Sequence, residues 1–360
     1  MFVASNAGSF SESGGLVGFL CPYTVSEIIH AAGYVPVRIY VPNTSRELAD
    51  AYLPPNFCPY LRHVVDLGVR GELARYDSIV VSHTCDGARR TQDVLDAYGT
   101  GTGLFFLDLP KTNDRDAVTY FASQLARMVR FFEERSARRV TEKDLQAAVS
   151  LYNENRRLLE RFYSLRESYP ALLSGKQTAR ILDFNVSVPV REANEKLRQA
   201  VDRMERSSPD AGYGPDGKRV FVTGNLLDFG SYLAEIEEAG GVVAGDDFCF
   251  GGRYYPGEVD HSDDPLVALA ARYLSRVPCG RMERYTERFD RLIESVERTG
   301  ARGVVYLGLK FCDNFLTDYP LLKKRLDEKG IPSLFCESEF YPAGTGQLRT
   351  RVEAFIEMLD

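Results

Sequence analysis

Short apolar runs rich in β-branched residues alternate with stretches of helical periodicity in both halves of the chain. The runs are Val35 to Val41, Ser78 to Thr84 and Gly103 to Leu109, then Arg219 to Thr223, Gly241 to Ala244, Gly303 to Leu309 and Pro332 to Phe335. Strands alternating with helices build a parallel sheet with crossover helices, so the expected fold class is α/β, with two doubly wound parallel-sheet domains.

Between the two sets lies a mostly helical segment, about 115–206. Val118, Phe121, Leu125, Met128 and Phe132 recur at helical spacing within Asp116 to Arg135, and Thr141 with Asp144 resembles a capping pair opening a second helix through Leu145, Val149, Tyr152 and Leu159. Further helices are expected at Thr178 to Phe184 and Val190 to Arg206. Ser207 to Gly217 concentrates Ser, Pro and Gly, which resist regular structure, and is read as the linker. The expected domains are 1–206, including the helical segment, and 218–360. A helix from Ser231 to Ala239 follows the first strand of the second half, and Thr24 with Glu27 fits a capping box in the first.

A length of 360 residues suits two to three domains. No stretch reaches the roughly 18 uninterrupted apolar residues of a membrane helix, and the amino end lacks a secretory pattern, so a cytoplasmic protein without membrane contact is expected. Against 44 Lys and Arg stand 51 Asp and Glu, with signs interspersed, which removes the electrostatic footprint of a nucleic-acid partner. Arg156, Arg157 and Arg161 read as a solvated helix face.

The seven cysteines ask for a separate explanation. Cys85 and Cys312 each follow an apolar run and precede Asp, Cys249 follows Asp246-Asp247, and Cys21, Cys58 and Cys279 sit beside prolines in loops. Carboxyl ends of parallel strands are where ligands bind, so these are functional places. Cys336 lies at the end of an apolar run and reads as a core thiol. No close-spaced pair suits structural zinc. In chain order the six form two sets, Cys21, Cys58 and Cys85, then Cys249, Cys279 and Cys312. Spacing alone leaves them balanced between ordinary loop thiols and ligands of an iron-sulfur cluster at the domain interface.

The segments Gly18 to Tyr23, Glu27 to Val37, Phe57 to Arg62, Thr84 to Arg90, Phe106 to Pro110, Phe311 to Asp313 and Thr350 to Phe355 resemble the 2-hydroxyacyl-CoA dehydratase and benzoyl-CoA reductase superfamily. That resemblance implies two α/β domains holding an iron-sulfur cluster, served by a separate ATP-hydrolysing iron-sulfur activator protein. It carries the ligand role of a 4Fe-4S cluster onto Cys58, Cys85 and Cys312. The further cysteines at 21, 249 and 279 make the set similar to the double-cubane branch, in which six cysteines of one chain hold an 8Fe-9S unit. The expected function is thus a low-potential reductase acting on a small-molecule substrate. A dehydratase subunit with one 4Fe-4S cluster and a non-catalytic cluster carrier or redox sensor are the alternatives.

His30 and His83 are weak candidates for proton delivery or for hydrogen bonds to sulfide, and a structural role suits either. Glu27 is explained by capping, and Gly251-Gly252 either brings amides to sulfide or makes a plain turn. No G-x4-G-K-[ST] motif is present, so ATP hydrolysis is assigned to the partner. A homodimer is expected, the two-fold arrangement being the commonest.

Overall fold

The computed structural model describes residues 14–41, 47–98, 101–207, 218–225, 227–261, 264–342 and 345–359. Within them the strands form two four-stranded sheets, parallel throughout. The first contains β1 (Leu16–Phe19), β2 (Val35–Arg38), β3 (Ser78–Ser82) and β4 (Gly103–Leu107) in the order β2-β1-β3-β4. The second repeats that order as β6-β5-β7-β8, with β5 (Lys218–Gly224), β6 (Gly241–Asp246), β7 (Gly303–Leu309) and β8 (Ser333–Ser338). In both sheets the chain runs outward from the first strand and returns on its other side. This places a reversal point between β1 and β3 and another between β5 and β7, where carboxyl strand ends border a crevice.

The strands match the apolar runs, with β2 ending at Arg38 before the exposed Tyr40. The sequence reading omitted β1. It has only four residues, one of them Gly18, where a Cβ would come within 2.9 Å of the Ile39 side chain.

The helices are α1 (Ser26–Ala31), α2 (Pro59–Val69), α3 (Asp86–Tyr98), α4 (Arg115–Ser136), α5 (Glu142–Ser168), α6 (Gly175–Asn185), α7 (Val190–Ser207), α8 (Phe229–Glu238), α9 (Pro265–Ser275), α10 (Tyr285–Thr299), α11 (Asp313–Leu316), α12 (Asp318–Glu328) and α13 (Thr345–Met358). The capping pair at Thr141 and Asp144 forms reciprocally, and Ser174 with Gln177 makes a second such box on α6. The linker expected at 207–217 lies outside the described residues except for Ser207, where α7 ends.

One apolar core is shared between the two sheets, and a second joins the first sheet to helical and loop residues of the second half. One joins Val37, Ile79 and Val81 to Val220, Val305 and Leu307 through Leu159, Phe162 and Leu197 of the helical segment. The other joins Val17, Val80, Phe121 and Leu125 to Leu269, Tyr273 and Leu274 of α9. The helical segment therefore serves both halves, α4 lying on α9 and α6 on α8.

Two local expectations are corrected. Thr24 does not cap α1, since its Oγ1 lies 3.0 Å from Ser82 Oγ, and Glu27 is fully buried. The Glu27 carboxylate accepts from Arg156 Nη2 and, at 2.7 Å, from the Tyr273 hydroxyl. Arg156 is accordingly buried, while Arg157 and Arg161 remain on the surface paired with Glu258 and Glu205. A second buried pair, Arg166 Nη1 to Asp246 Oδ2 at 2.6 Å, ties α5 to the end of β6. These two pairs fasten the long helix to elements of both halves.

Candidate metal centre

All seven cysteines are free thiols; six are half-buried, whereas Cys336 on β8 is buried at 1% exposure. Cys21 follows β1, Cys85 follows β3, Cys249 follows β6 and Cys312 follows β7. Cys58 is the residue before α2, and Cys279 lies between α9 and α10. Carboxyl strand ends of both sheets, one helix start and one interhelical loop thus supply the thiols.

Local backbone geometry turns donors toward most of them. Cys58 receives the N–H groups of Tyr60 and Leu61, and Cys85 receives those of Gly87 and Ala88, the latter at 3.3 Å. Cys312 receives the Phe315 N–H and the Asn225 side-chain amide, while Cys21 receives the Tyr23 N–H. Asn225 is held for this task because its Oδ1 accepts from Leu309 N at 3.0 Å. First-turn N–H groups lack partners within their own helix, so a sulfur placed there meets ready donors and the favourable end of the helix dipole.

Burial pushes the Cys58 thiol up to about 12 and raises Cys21, Cys85, Cys249 and Cys312 as well, while the donors pull the other way. The thiols also raise one another, so each lies within electrostatic range of the others named with it. Cys21 is acted on by Cys249 and Cys279, and Cys249 by Cys279. Cys312 is acted on by Cys58 and Cys85, and Cys58 by Cys85. Packing sets Cys58, Cys85 and Cys312 against one core and Cys21, Cys249 and Cys279 against another, while Cys279 and Cys312 also lie together against a third core under the second sheet. The electrostatic neighbours thus favour a grouping of Cys58, Cys85 and Cys312 and of Cys21, Cys249 and Cys279, each drawing on both halves, over the grouping by chain order. The two trios adjoin through Cys85 and Cys279.

Cations accompany the Cys21, Cys249 and Cys279 group. Arg253, at 3% exposure, donates from Nη2 to Cys249 Sγ at 3.4 Å and to the Gly224 carbonyl. Arg276 donates to Pro22 O and Arg253 O, both at 2.7 Å, linking the loops that carry Cys21 and Cys249. Arg281 is held by the Leu109 and Pro110 carbonyls, with its charge near Cys279, Cys21 and Cys85. Sequence reasoning missed these arginines and Asn225, because their roles depend on contacts between loops. Phe311, quoted with Cys312 in the resemblance, is exposed and takes a left-handed φ of +58°, which its residue type did not signal.

The other candidates resolve as follows. His83 Nδ1 lies 2.7 Å from Asp108 Oδ1, and Tyr120 donates to Asp108 Oδ2 at 2.5 Å, so His83 belongs to a half-exposed relay two residues before Cys85. His30 packs edge-on to Tyr152, and burial with the nearby Arg191 charge lowers its pKa. Gly252 N–H donates to Asp246 Oδ1 at 3.0 Å, and a Cβ there would fall 2.1 Å from the Asp246 carbonyl oxygen. The Gly251-Gly252 pair is explained by this close turn.

Among the described residues, no three His, Cys, Asp or Glu side chains converge on a single-ion site, and no helix is long and apolar enough to cross a membrane. Fold and site together define a two-sheet α/β protein with six half-buried thiols at strand ends, a helix start and an interhelical loop. The 2-hydroxyglutaryl-CoA dehydratase D-component family model matches residues 21–359, and the chain belongs to that family, within the superfamily that also holds benzoyl-CoA reductase. It is 26% identical over 344 residues to the (R)-phenyllactyl-CoA dehydratase beta subunit of Clostridium sporogenes, covering 95% of this chain and 91% of the relative. A benzoyl-CoA reductase subunit of Thauera aromatica is 26% identical over 93% of this chain and 87% of its own length. The lactoyl-CoA dehydratase beta subunit of Anaerotignum propionicum is 26% identical over 97% and 93% respectively. These relatives are dehydratase and reductase subunits, which places the chain broadly among enzymes.

Proposed function

We propose that the chain is an iron-sulfur reductase of double-cubane type, with an 8Fe-9S unit held by Cys21, Cys58, Cys85, Cys249, Cys279 and Cys312. The two adjoining trios carry this reading, since two joined cubanes need three outer thiolates each. A single 4Fe-4S cluster held by Cys58, Cys85 and Cys312 leaves the arginine-lined trio without a task. The donor set suits an anionic occupant: Arg253 Nη1 and Arg276 Nε are buried without a hydrogen-bond partner, beside thiols that burial and mutual repulsion keep protonated when nothing binds them.

When bound, such a cluster supplies one-electron transfer at low potential. The chain's own work is to hold it and shape its surroundings. Cys58, Cys85 and Cys312 bind at helix starts, where backbone N–H groups offset negative charge. The Cys21, Cys249 and Cys279 side relies on fixed guanidinium charge, and the apolar cores set the spacing between trios. In this reading an ATP-hydrolysing iron-sulfur activator delivers electrons, a small molecule is reduced at the site, and the chain works as a cytoplasmic homodimer.

The test is serine replacement of each thiol in protein purified without oxygen. Replacing any of the six should lower iron content and alter the visible spectrum, whereas Cys336→Ser should not. If Cys21→Ser and Cys279→Ser both retain full iron and an unchanged spectrum, the six-ligand assignment fails and the single-cubane dehydratase subunit takes its place.

A further inference from the structure

The two trios differ in what neutralises them. Cys58 and Cys312 meet backbone N–H groups and the Asn225 amide, which are neutral dipoles, and Cys85 meets two backbone N–H groups, with the Arg281 charge the smallest contribution acting on it. Cys249 instead meets a guanidinium, and Cys21 the charge of Arg276.

Arg253 is placed by contacts unrelated to Cys249 alone. Its Nη2 also reaches the Gly224 carbonyl at the end of β5, and its guanidinium lies 5.1 Å from the centre of the Phe315 ring. Its backbone carbonyl accepts from Arg276. Its Nη1 stands 3.6 Å from Asp247 Oδ2, beyond hydrogen-bond reach. Asp247 is already engaged by Arg288 at 3.2 Å and by the Thr223 hydroxyl, and Arg288 is engaged in turn by Asp318. The Arg253 charge is thus only partly offset by the acid nearest to it, and in a buried setting its field acts on the thiolate it touches.

Resting on the cluster reading above, we infer that Arg253 is a positioning residue that makes the two halves of the cluster electrostatically unequal. Its fixed positive charge stabilises the reduced form on the Cys21, Cys249 and Cys279 side. A one-electron reduction by an external low-potential donor adds one negative charge to the site, and Arg253 favours the state that carries it. Arg281, whose charge acts on Cys279 and Cys21 and also on Cys85, serves both halves, so the inequality rests on Arg253.

The experiment is an anaerobic redox titration of the full-length iron-loaded protein with titanium(III) citrate, read by electron paramagnetic resonance. Iron is measured on the same samples. Arg253→Gln should keep its iron and become at least about tenfold harder to reduce, a shift of about 59 mV to more negative potential for one electron. Arg253→Lys, which restores the charge, should recover most of that shift. Unchanged potential and spectrum in iron-loaded Arg253→Gln would overturn the inference and leave the cluster reading intact. If Arg253→Gln does not fold, Arg253→Met, which keeps the apolar stem without the charge, takes its place, with the same negative shift expected and an unchanged potential overturning the inference. A wild-type protein that binds no iron defeats the cluster reading itself, and the inference with it.

Discussion

Replacing Glu27 by Gln separates two explanations of this residue by magnitude. A capping role is nearly indifferent to the change, because Gln serves at that position of a capping box as Glu does. The structure gives Glu27 a different task. Both its oxygens are occupied, one by Arg156 and the other by Tyr273, and all three side chains are buried. Arg156 is held further by Asn153 at 2.8 Å, so it cannot swing to water when its counter-charge is removed. Arg272 is also close, pushed down to about 9 by burial and by the Arg156 charge. Glu27→Gln leaves these cations buried without their carboxylate, and breaking a buried pair from one side costs about 3–5 kcal/mol. Replacing both partners with apolar residues, Glu27→Leu with Arg156→Met, should cost less than Glu27→Gln alone. With 20 Tyr and no Trp, urea unfolding is followed by tyrosine fluorescence and read from midpoints at constant slope. A loss below about 1 kcal/mol for Glu27→Gln would refute the ion-pair account, using the usual range for caps as the yardstick.

Further outcomes follow from the same contacts. Burial alone would raise the Glu27 carboxyl, but Arg156 and Tyr273 hold it below its ordinary value, so its contribution is complete above the unfolded pKa of about 4.3 and fades as pH falls through the lower folded value. The stability gap between wild type and Glu27→Gln should therefore be wide at pH 6 and shrink below pH 4 in urea titrations; a gap that widens on acidification contradicts this. Gly252→Ala forces a Cβ against the Asp246 carbonyl and should destabilise the Cys249 loop, whereas Gly346→Ala meets nothing within 4 Å and should be neutral or stabilising by up to about 1 kcal/mol; equal melting shifts would count against the turn geometry. Cys336→Ser should lower the melting temperature without changing iron content, since it loads a buried strand position with a hydroxyl. Light scattering under anaerobic, reducing conditions should give a dimer mass, and a monomer would contradict the homodimer reading.

The fold was largely legible in the sequence because strands covered on both faces read as continuous apolar runs, as at Ser78 to Thr84 and Gly303 to Leu309. β1 escaped because four residues with a glycine among them carry little of that signal. The six half-buried cysteines were recognisable because prolines and strand ends mark their positions. Which of them are neighbours was not legible, since contacts between the halves decide it and chain order carries no record of them. Glu27 and Arg156 were misread for the same reason. A carboxylate beside Ser26 has every local mark of a cap, while its partner lies 129 residues away on another helix. Arg253 and Asn225 gain meaning only once the thiols are in place.

The central claim is tested most directly by iron and acid-labile sulfide per chain in wild-type protein purified without oxygen. The six-thiolate site predicts about eight irons and nine sulfides, the count for two cubanes with three outer thiolates each. About four of each would contradict it and leave a single cubane on Cys58, Cys85 and Cys312.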